Sequence, residues 1–179
     1  MILETERLIL RPWEGSDAAD LFEFAKDPAV GNSAGWNPHK SVDESLEIIR
    51  TVLGEPETYA VVLKENMKAV GSVGLMIGGK SSLDISENEA EIGYWIGVPF
   101  WGRGLIPEAV RELVRYGFED LGLVRIWCGY FDGNEKSKRV QEKCGFKYHH
   151  TNKDVLWEIT GEVLTEHVTF LDNPNRRNL

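Results

Sequence analysis

The amino-acid sequence predicts one domain of the α/β class, with a mixed sheet flanked by helices. Strand-like segments carry apolar residues at every second position, as in residues 89–98. Helix-like segments carry apolar residues three and four positions apart, most clearly in residues 107–121. The two kinds of segment are interspersed, without a linker-like change of composition or an internal repeat. We therefore expect a single domain over residues 1–179, with a loose tail at 172–179.

In the first half of the chain, capping residues and apolar spacing predict two helices. One runs from a cap at Ser16 to about Lys26, and the other follows the capping-box pattern of residues 41–44 and ends near Leu53. Residues 30–40 contain Gly and Pro and are expected to form a loop. The expected strands are 8–11, 59–63, 69–77 and 89–98, with a polar loop at 78–88 before the last one.

The second half repeats the alternation. The helix at 107–121 ends before Gly122, the residue type that commonly terminates helices. A strand at 124–131 and a short helix from Asn134 to Lys143 are expected next. Two final strands are predicted at 148–159 and 163–171, joined by a turn.

Composition limits the classes of function. Hydrophobic residues make up 42% and charged residues 27% of the chain, as in ordinary folded proteins. The net charge of −9 argues against non-specific nucleic-acid binding and suits a cationic acceptor such as an amine. No leader-like pattern opens the sequence and no long apolar run occurs in it. We expect a cytoplasmic protein with no membrane partner, and nothing in the sequence indicates its oligomeric state.

The cysteines and histidines form no metal-binding or disulfide pattern. Cys128 and Cys144 lack the spacing of metal ligands, and the four histidines are equally unpatterned. Free buried thiols and the absence of a metal are therefore the expectation.

A glycine-spaced turn joins the strand at 89–98 to the long helix. Pro107 is suited to the first helical position, where its missing N–H has no intrahelical partner. The N–H groups of residues 102–106 then point away from the positive end of the helix dipole, and Gly102 and Gly104 allow close approach of a ligand. An anion such as a pyrophosphate fits this cradle, and a plain glycine turn is the alternative. The P-loop and dinucleotide fingerprints both fail here, the first at Arg103 and the second at Pro107.

Several spaced motifs together resemble those of the GNAT superfamily of N-acetyltransferases. The closest likeness is to its Rim-type branch, which includes enzymes that acetylate the N-termini of ribosomal proteins. The motifs span nearly the whole chain: Thr5-Glu6-Arg7-Leu8-Ile9-Leu10-Arg11, Glu91-Ile92-Gly93-Tyr94-Trp95-Ile96, Gly102-Arg103-Gly104, Asn134-x-x-Ser137 and Lys143-x-Gly145-Phe146.

The resemblance implies a mostly antiparallel sheet in which two parallel strands, at 89–98 and 124–131, splay apart to form an acyl-CoA cleft. It also implies acetyl-CoA as co-substrate, with an oxyanion stabilised by a backbone N–H at the end of the first of these strands. The cofactor-binding residues it implies are Ile96, Gly97, Val98, Gly102, Arg103, Gly104, Leu105, Ile106, Asn134 and Ser137.

The chemistry of acetyl transfer to an amine requires a base, because an alkylammonium is mostly protonated at neutral pH. Alternation along the strand at 89–98 places Tyr94 on an apolar face that is expected to belong to the core. Glu89 and Glu91 share the other face with Gly93 and Trp95, an unusual set for a core strand. For Glu89 a solvated strand end is the simpler interpretation. Glu91 is the predicted catalytic and acceptor-binding carboxylate, with simple ion pairing as the alternative.

The departing thiolate needs a proton, and the resemblance assigns that role to Ser137. An ordinary surface hydroxyl is the alternative for this residue. Asn134 is expected to contact the pantetheine region and to cap the following helix. Gln141 stands where many members of the superfamily carry a tyrosine acid, which shifts the burden to Ser137.

Recognition of the acceptor is assigned to loop residues. Trp36 and His39, in the expected loop, are predicted to bind the substrate, with His149 and His150 on the opposite side, and an ordinary surface position is the alternative for each of them. Trp101 and Ile106 depart from the family pattern and predict a tighter cradle, and Pro107 removes one N–H donor.

We expect direct acetyl transfer in a ternary complex to a protein N-terminus or a small-molecule amine. An acyl-CoA-binding regulatory module without transfer activity is the alternative.

Overall fold

A single sheet runs through the protein. The computed structural model describes residues 1–175, and the last four residues of the predicted tail, 176–179, lie outside it. The strands of the described residues lie in the order β1-β2-β3-β4-β5-β6-β8-β7. Their bounds are Leu3–Glu4 (β1), Leu8–Arg11 (β2), Thr58–Leu63 (β3), Ala69–Ile77 (β4), Glu89–Ile96 (β5), Arg125–Phe131 (β6), Lys147–Trp157 (β7) and Glu162–Asp172 (β8).

Helices flank this sheet. Their bounds are Ala18–Ala25 (α1), Pro28–Ala34 (α2), Val42–Thr51 (α3), Leu105–Glu119 (α4) and Glu135–Lys143 (α5).

The central strands β5 and β6 are parallel, and the other neighbouring strands pair antiparallel. The β5–β6 register holds only from Glu89 and Arg125 to Glu91 and Trp127, after which the two strands separate. The predicted fold class is therefore confirmed, including the splayed parallel pair.

The alternation of side chains along the strands divides the core into two clusters. Leu10, Val61 and Leu75 belong to the larger cluster, into which α4 buries Val110 and Leu113. On the opposite face, a smaller cluster contains residues of α1 and α3 together with strand residues such as Ala60 and Val62. The two faces of the β5–β6 gap are consequently built by different sets of helices.

The first part of the expected loop at 30–40 is helical instead. Asp27 caps α2 by accepting a hydrogen bond from the Ala29 N–H at 2.9 Å, and Pro28 occupies the first turn. Burial of Val30 then stabilises a segment whose glycine and asparagine are weak helix formers. The prediction was wrong because tertiary packing outweighs local propensity here.

The start of α1 also differs from the prediction. Ser16 lies inside a short 3-10 turn, Gly15–Asp17, and does not cap the helix. Asp17 is buried and pairs with both guanidinium nitrogens of Arg11 at 2.7 and 2.8 Å. Such a bidentate pair is specific in geometry and joins the start of α1 to β2.

Helix α4 begins two residues earlier than predicted. Gly104 is its N-cap with φ +75°, so Pro107 occupies the third helical position. Proline is still tolerated there because the first four N–H groups of a helix have no intrahelical acceptor.

The first two residues of the expected tail, Asp172 and Asn173, are held in the fold. Strand β8 continues to Asp172, and the Asn173 side chain donates to the carbonyls of Phe118 and Leu123 at 3.3 and 2.9 Å. Among the described helices, none is long and apolar enough to cross a membrane.

Candidate functional site

A cleft of about 480 Å³ opens between β5, the first turn of α4 and the side of α5. Its lining residues are Ser33 and Ala34 of α2, Tyr94, Trp95 and Ile96 of β5, Phe100, Trp101, Gly102, Gly104, Leu105, Ile106 and Pro107 of the turn and α4, and Asn134, Lys136, Ser137, Arg139, Val140 and Lys143 of α5 and its cap.

The glycine turn forms one end of this cleft. Gly102 and Gly104 both have φ +75°, a conformation that only glycine adopts without strain. Leu105 and Ile106 bury their side chains in the larger core cluster, although both line the cleft. Together with the positive end of the α4 dipole, the turn therefore presents exposed backbone N–H groups to the cleft.

A cluster of hydrogen bonds fixes the turn to the N-terminal motif. Glu108 accepts from the Thr5 hydroxyl at 2.5 Å and from the backbone N–H and Nε of Arg7 at 2.8 and 2.7 Å. A further bond runs from Arg7 to the carbonyl of Arg103 at 3.0 Å. Burial opposes the charge on Glu108, but the bonds from Thr5 and Arg7 outweigh it and lower the pKa of that carboxyl.

The Arg103 side chain lies outside the cleft. Its guanidinium is 5.6 Å from the centroid of the Phe100 ring and 4.0 Å from the Glu65 carboxylate. It lines a separate depression together with Glu65 and Lys64. Only the backbone of Arg103 is thus held at the cradle, through the bond to Arg7.

Three cations of α5 line the cleft and were not identified from the sequence. Lys136, Arg139 and Lys143 follow helical spacing and share one side of the helix. The Lys136 ammonium lies 4.2 Å from the centroid of the Trp101 ring, a cation–π contact. The spacing alone was the available signal, and it equally describes a solvated helix face.

The hydrogen-bond register at the end of β5 directs one N–H into the splayed gap. Gly97 donates to the Val70 carbonyl at 2.9 Å, which makes the pair of Gly97 and Val70 a hydrogen-bonded one. The next pair in register, Ile96 and Gly71, is then a non-hydrogen-bonded pair. The N–H and carbonyl of Ile96 therefore point away from β4. The Ile96 carbonyl accepts from the Trp101 indole at 2.9 Å, and its N–H faces the gap.

Two hydroxyl groups meet in the cleft. The Ser137 hydroxyl lies 2.9 Å from the Tyr94 phenol and accepts from the Gln141 amide at 3.3 Å. Burial raises the pKa of Tyr94 well above its ordinary value, so the phenol stays protonated. The strand alternation had assigned Tyr94 to the apolar core stripe, so sequence analysis missed its place beside Ser137.

Asn134 caps α5 and ties this helix to α2. Its side-chain carbonyl accepts from the Ser137 N–H at 3.1 Å, and its amide donates to the Ser33 carbonyl at 3.0 Å. The residue also lines the cleft, so its capping and its place beside a ligand coexist.

On the opposite face of the sheet, Glu91 is buried at 8% exposure. One of its oxygens accepts three hydrogen bonds, from the Ser81 hydroxyl at 2.7 Å and from the N–H and hydroxyl of Ser82 at 3.2 Å. Glu89 accepts from the Trp127 indole at 2.9 Å.

Aromatic rings cover the same face. Trp95 lies 6.3 Å from Trp13 and 5.7 Å from Trp36 between ring centroids. His39 contacts Trp36 at 5.3 Å, and its Nδ1 lies 2.8 Å from the Ser45 hydroxyl. Burial lowers the pKa of His39 despite the nearby Glu44, which favours the neutral imidazole.

The two histidines of β7 lie on the far side of β6 from Trp36 and His39. His149 packs edge-on against Trp127 at 5.0 Å and Phe170 at 5.6 Å, and its Nδ1 is 2.7 Å from that of His150. Trp36, His39 and Glu91 are not part of the cleft lining. Within residues 1–175 no group of three or more His, Cys, Asp or Glu side chains is arranged to hold a metal ion.

Comparison with known proteins agrees with the motif likeness. A family model described as an acetyltransferase (GNAT) domain matches residues 7–147. The chain is 33% identical over 150 residues to an uncharacterised N-acetyltransferase, p20, of Bacillus licheniformis, with 81% of this chain and 82% of the relative covered.

A second N-acetyltransferase relative and a solved structure extend the comparison. Over 76 residues, 42% of each chain, the sequence is 43% identical to a putative ribosomal N-acetyltransferase, YdaF, of Bacillus subtilis strain 168. An acetyltransferase of the GNAT family from Bacillus anthracis superimposes with a TM-score of 0.83 at 22% identity, over 97% of this chain and 99% of that one. The structural likeness establishes a shared fold.

Proposed function

Because the chain belongs to the GNAT acetyltransferase family, we propose that it moves the acetyl group of acetyl-CoA directly to a primary amine in a ternary complex. The family membership makes it an acetyl-CoA-dependent acetyltransferase with relatives in the Rim-type branch. One observation carries the proposal of direct transfer: a single cleft extends from the glycine cradle along β5 to Trp95, whose ring packs against Trp36 on the opposite face of the sheet.

The donor's phosphates find positive partners along the cleft. The N–H groups of residues 102–106 fit the pyrophosphate, because the α4 dipole and the two glycines favour a bound anion there. Lys136, Arg139 and Lys143 supply cations for the ribose phosphate. The thioester would then lie at the splayed gap, beside Ile96 and Ser137.

Charge that develops on the thioester oxygen is met by the Ile96 N–H. Its direction into the gap follows from the bond between Gly97 and Val70, which commits the neighbouring N–H to β4. The resemblance allowed Ile96, Gly97 or Val98 to donate to the oxyanion, and this register favours Ile96. Gly97 then serves to fasten the end of the strand.

The leaving thiolate receives its proton from the hydroxyl pair of Ser137 and Tyr94. The two groups are 2.9 Å apart and both line the cleft, so a proton lost by Ser137 is replaced from Tyr94. Many superfamily members carry an acidic tyrosine at the position of Gln141. In this protein the phenol of Tyr94 takes that part.

The acceptor amine approaches from the face of Glu91, Trp36 and His39. An ammonium is attracted both by carboxylates and by the faces of tryptophan rings. A buried carboxylate on this face of the sheet takes the amine's proton, and Glu91 is the one that the sequence predicts for this role. A cytoplasmic location is part of the proposal, because free thiols such as Cys128 and Cys144 are typical of a reducing compartment.

The test is release of CoA during incubation with acetyl-CoA and a panel of amines. Spermidine, tryptamine, kanamycin and a decapeptide with a free N-terminal alanine represent the acceptor classes. Amine-dependent release, with acetylated product seen by mass spectrometry, supports the enzyme. Saturable acetyl-CoA binding without product from any amine would instead support the regulatory module.

A further inference from the structure

The splayed gap has a second carboxylate beside it, contributed by the last strand of the sheet. Glu166 of β8 is 7% exposed and pairs in register with Phe131 of β6. Its carboxyl group extends back along β6 to Gly129. Gly129 is two residues beyond Trp127, where the pairing of β5 with β6 stops, and it lies on the same face.

Gly129 provides the space for this carboxyl group. A Cβ atom built on Gly129 would lie 2.5 Å from Oε1 of Glu166, closer than real contacts allow. Only glycine permits such close approach of a side chain to the strand backbone. The Oε1 atom therefore lies in space that a side chain at position 129 would need. This position is just beyond the point where β5 and β6 separate.

The hydrogen bonds of the two carboxylates on this face differ. Glu166 accepts one bond, at Oε2 from the Asn152 amide at 3.3 Å, and within residues 1–175 no other hydrogen bond reaches its side chain. Glu91 accepts three bonds from Ser81 and Ser82. Oε1 of Glu166 has no donor within residues 1–175 and is available for an outside one. The three bonds to Glu91 all reach its Oε2, so they tie Glu91 to the loop while its Oε1 likewise has no donor among these residues.

From this geometry we propose that Glu166 binds the acceptor amine and takes its proton, while Glu91 holds the loop that carries Ser81 and Ser82. The inference rests on the proposed acetyl transfer. One N–H bond of the ammonium breaks and its proton moves to Oε1 of Glu166. The freed nitrogen lone pair forms the C–N bond, the C–S bond breaks, and the sulfur takes a proton from the Ser137–Tyr94 pair. The nitrogen of the new amide loses its second proton to solvent. Solvent then restores both groups.

The environment of Glu166 makes its carboxylate a stronger base than an exposed one. Burial raises the pKa of this carboxyl, the Asn152 hydrogen bond opposes that shift, and the charge of Glu91 adds to it. The neighbouring His150 acts in the opposite direction. A carboxylate of raised pKa accepts a proton from an ammonium more readily than an ordinary one.

Glu166→Gln removes the proton acceptor and keeps the shape of the side chain. With the panel amine that reacts fastest, kcat/KM at pH 7 should fall by about 100-fold or more, the range found for general bases. The residual rate should rise with pH as the free amine forms in solution, whereas the stabilisation by acetyl-CoA should stay unchanged. Glu162→Gln, an exposed change on the same strand, is the control. An activity of Glu166→Gln within twofold of wild type, with an unchanged pH profile, would overturn the proposal.

A second variant displaces the carboxyl group without removing its charge. Gly129→Ala places a methyl group where Oε1 now lies, and the flexible end of Glu166 can move aside. We expect a loss of about tenfold or more in kcat/KM, set by misplacement of the base. Gly79→Ala, outside the site, is the matched control. Full activity of a folded Gly129→Ala enzyme would contradict the assignment.

An NMR titration separates failure of this inference from failure of the proposed function. In protein labelled with ¹³C at glutamate carboxyl carbons, the Glu166 signal is the one missing from Glu166→Gln. Adding spermidine, tryptamine, kanamycin or the peptide to the complex with CoA should shift that signal, even if no amine is acetylated. If none of the four moves it, Glu166 does not bind the acceptor, whatever the activity assay gives.

Discussion

At the scale of single residues, the proposed protonation of the departing thiolate uses two hydroxyl groups that come from different elements. Ser137 lies in the first turn of α5 and Tyr94 in β5, and their oxygens are 2.9 Å apart. Because Tyr94 is buried and its pKa is raised, it remains a donor throughout the neutral range. The pair acts as a unit, so its members should not contribute independently.

Single and double substitutions test this coupling. Ser137→Ala and Tyr94→Phe should each lower kcat by about tenfold to 100-fold, within the range of general acid catalysis. The double variant should lose little more than the worse single one, because either change interrupts the same proton path. Steady-state rates at saturating acetyl-CoA provide the measurement, with Tyr148→Phe, an exposed residue of β7, as control. Strictly additive losses would argue against a shared path.

Sequence patterns located Ser137 and Asn134 but not Tyr94 or Glu166. The first two belong to a local motif with fixed spacing, and one of them caps its own helix. Tyr94 was assigned to the core because alternation tells which face a side chain takes and not what it meets there. Glu166 gains its position from Gly129, and that neighbour is determined by the order of the strands.

At the scale of elements, the N-terminal motif fixes the cradle of α4. Glu108 receives three hydrogen bonds from Thr5 and Arg7, and Arg7 also reaches the carbonyl of Arg103. The motif at 5–11 was recognised by resemblance, and the structure shows a physical reason for it. Strand β2 and the start of α4 are distant in sequence and are joined at the cradle by these bonds.

The pH dependence of stability should reveal this connection. The folded pKa of Glu108 is lowered below its ordinary value of 4.5, so the unfolded chain binds the proton more readily. Its stabilising effect is therefore complete above about pH 4.5 and is lost as the pH falls through the lower folded value. Glu108→Gln should cost about 1.5 kcal/mol or more in the free energy of unfolding at pH 7, and progressively less in acid.

Urea unfolding at pH 7 and at pH 4 measures the difference between wild type and Glu108→Gln. Glu119→Gln serves as the control, because Glu119 is an exposed residue at the far end of the same helix. An equal cost at both pH values would show that the charge of Glu108 is not what stabilises the contact.

Helices differ in how far the sequence determines them. The apolar stripe of α4 and its terminal Gly122 are local signals, and the helix was predicted to within two residues at its start. Helix α2 contains Gly31 and Asn32 and was predicted as a loop, since its stability depends on Asp27 and on burial of Val30. Propensity succeeds where local and tertiary preferences agree.

At the scale of the whole molecule, an acidic protein binds an anionic donor. The net charge is −9, yet Lys136, Arg139 and Lys143 line one side of the cleft, so the local field there differs from the global one. The same overall charge suits a cationic acceptor on the opposite face. In the proposed function, the sheet separates the side that binds the anionic donor from the side that binds the amine, and the two sides meet where β5 and β6 separate.

Ligand-induced stabilisation tests the anion-binding side. Acetyl-CoA at 100 times its Kd should stabilise the fold by about 2.7 kcal/mol, a rise in Tm of roughly 5 to 10 °C for a domain of this size. Arg139→Gln should reduce the rise, and dephospho-CoA should give the same small shift with wild type and Arg139→Gln. Lys153→Gln, an exposed change on β7, is the control for charge. A full rise in Tm with Arg139→Gln would show that Arg139 does not bind the ribose phosphate.

Direct transfer also has to be distinguished from relay through an enzyme thiol. Burial raises the pKa of both Cys128 and Cys144, so neither is a thiolate at neutral pH. Two protonated thiols favour the proposed direct passage of the acetyl group from the thioester to the amine over a relay. Such transfer requires donor and acceptor to be bound at the same time.

Direct transfer is best tested by initial rates measured while the concentrations of both acetyl-CoA and the best panel amine are varied. Direct transfer in a ternary complex predicts double-reciprocal lines that intersect, and no acetylated enzyme by intact mass spectrometry when acetyl-CoA is added alone. Parallel lines, together with a stable mass increase of one acetyl group on the enzyme, would contradict it and point to a covalent intermediate.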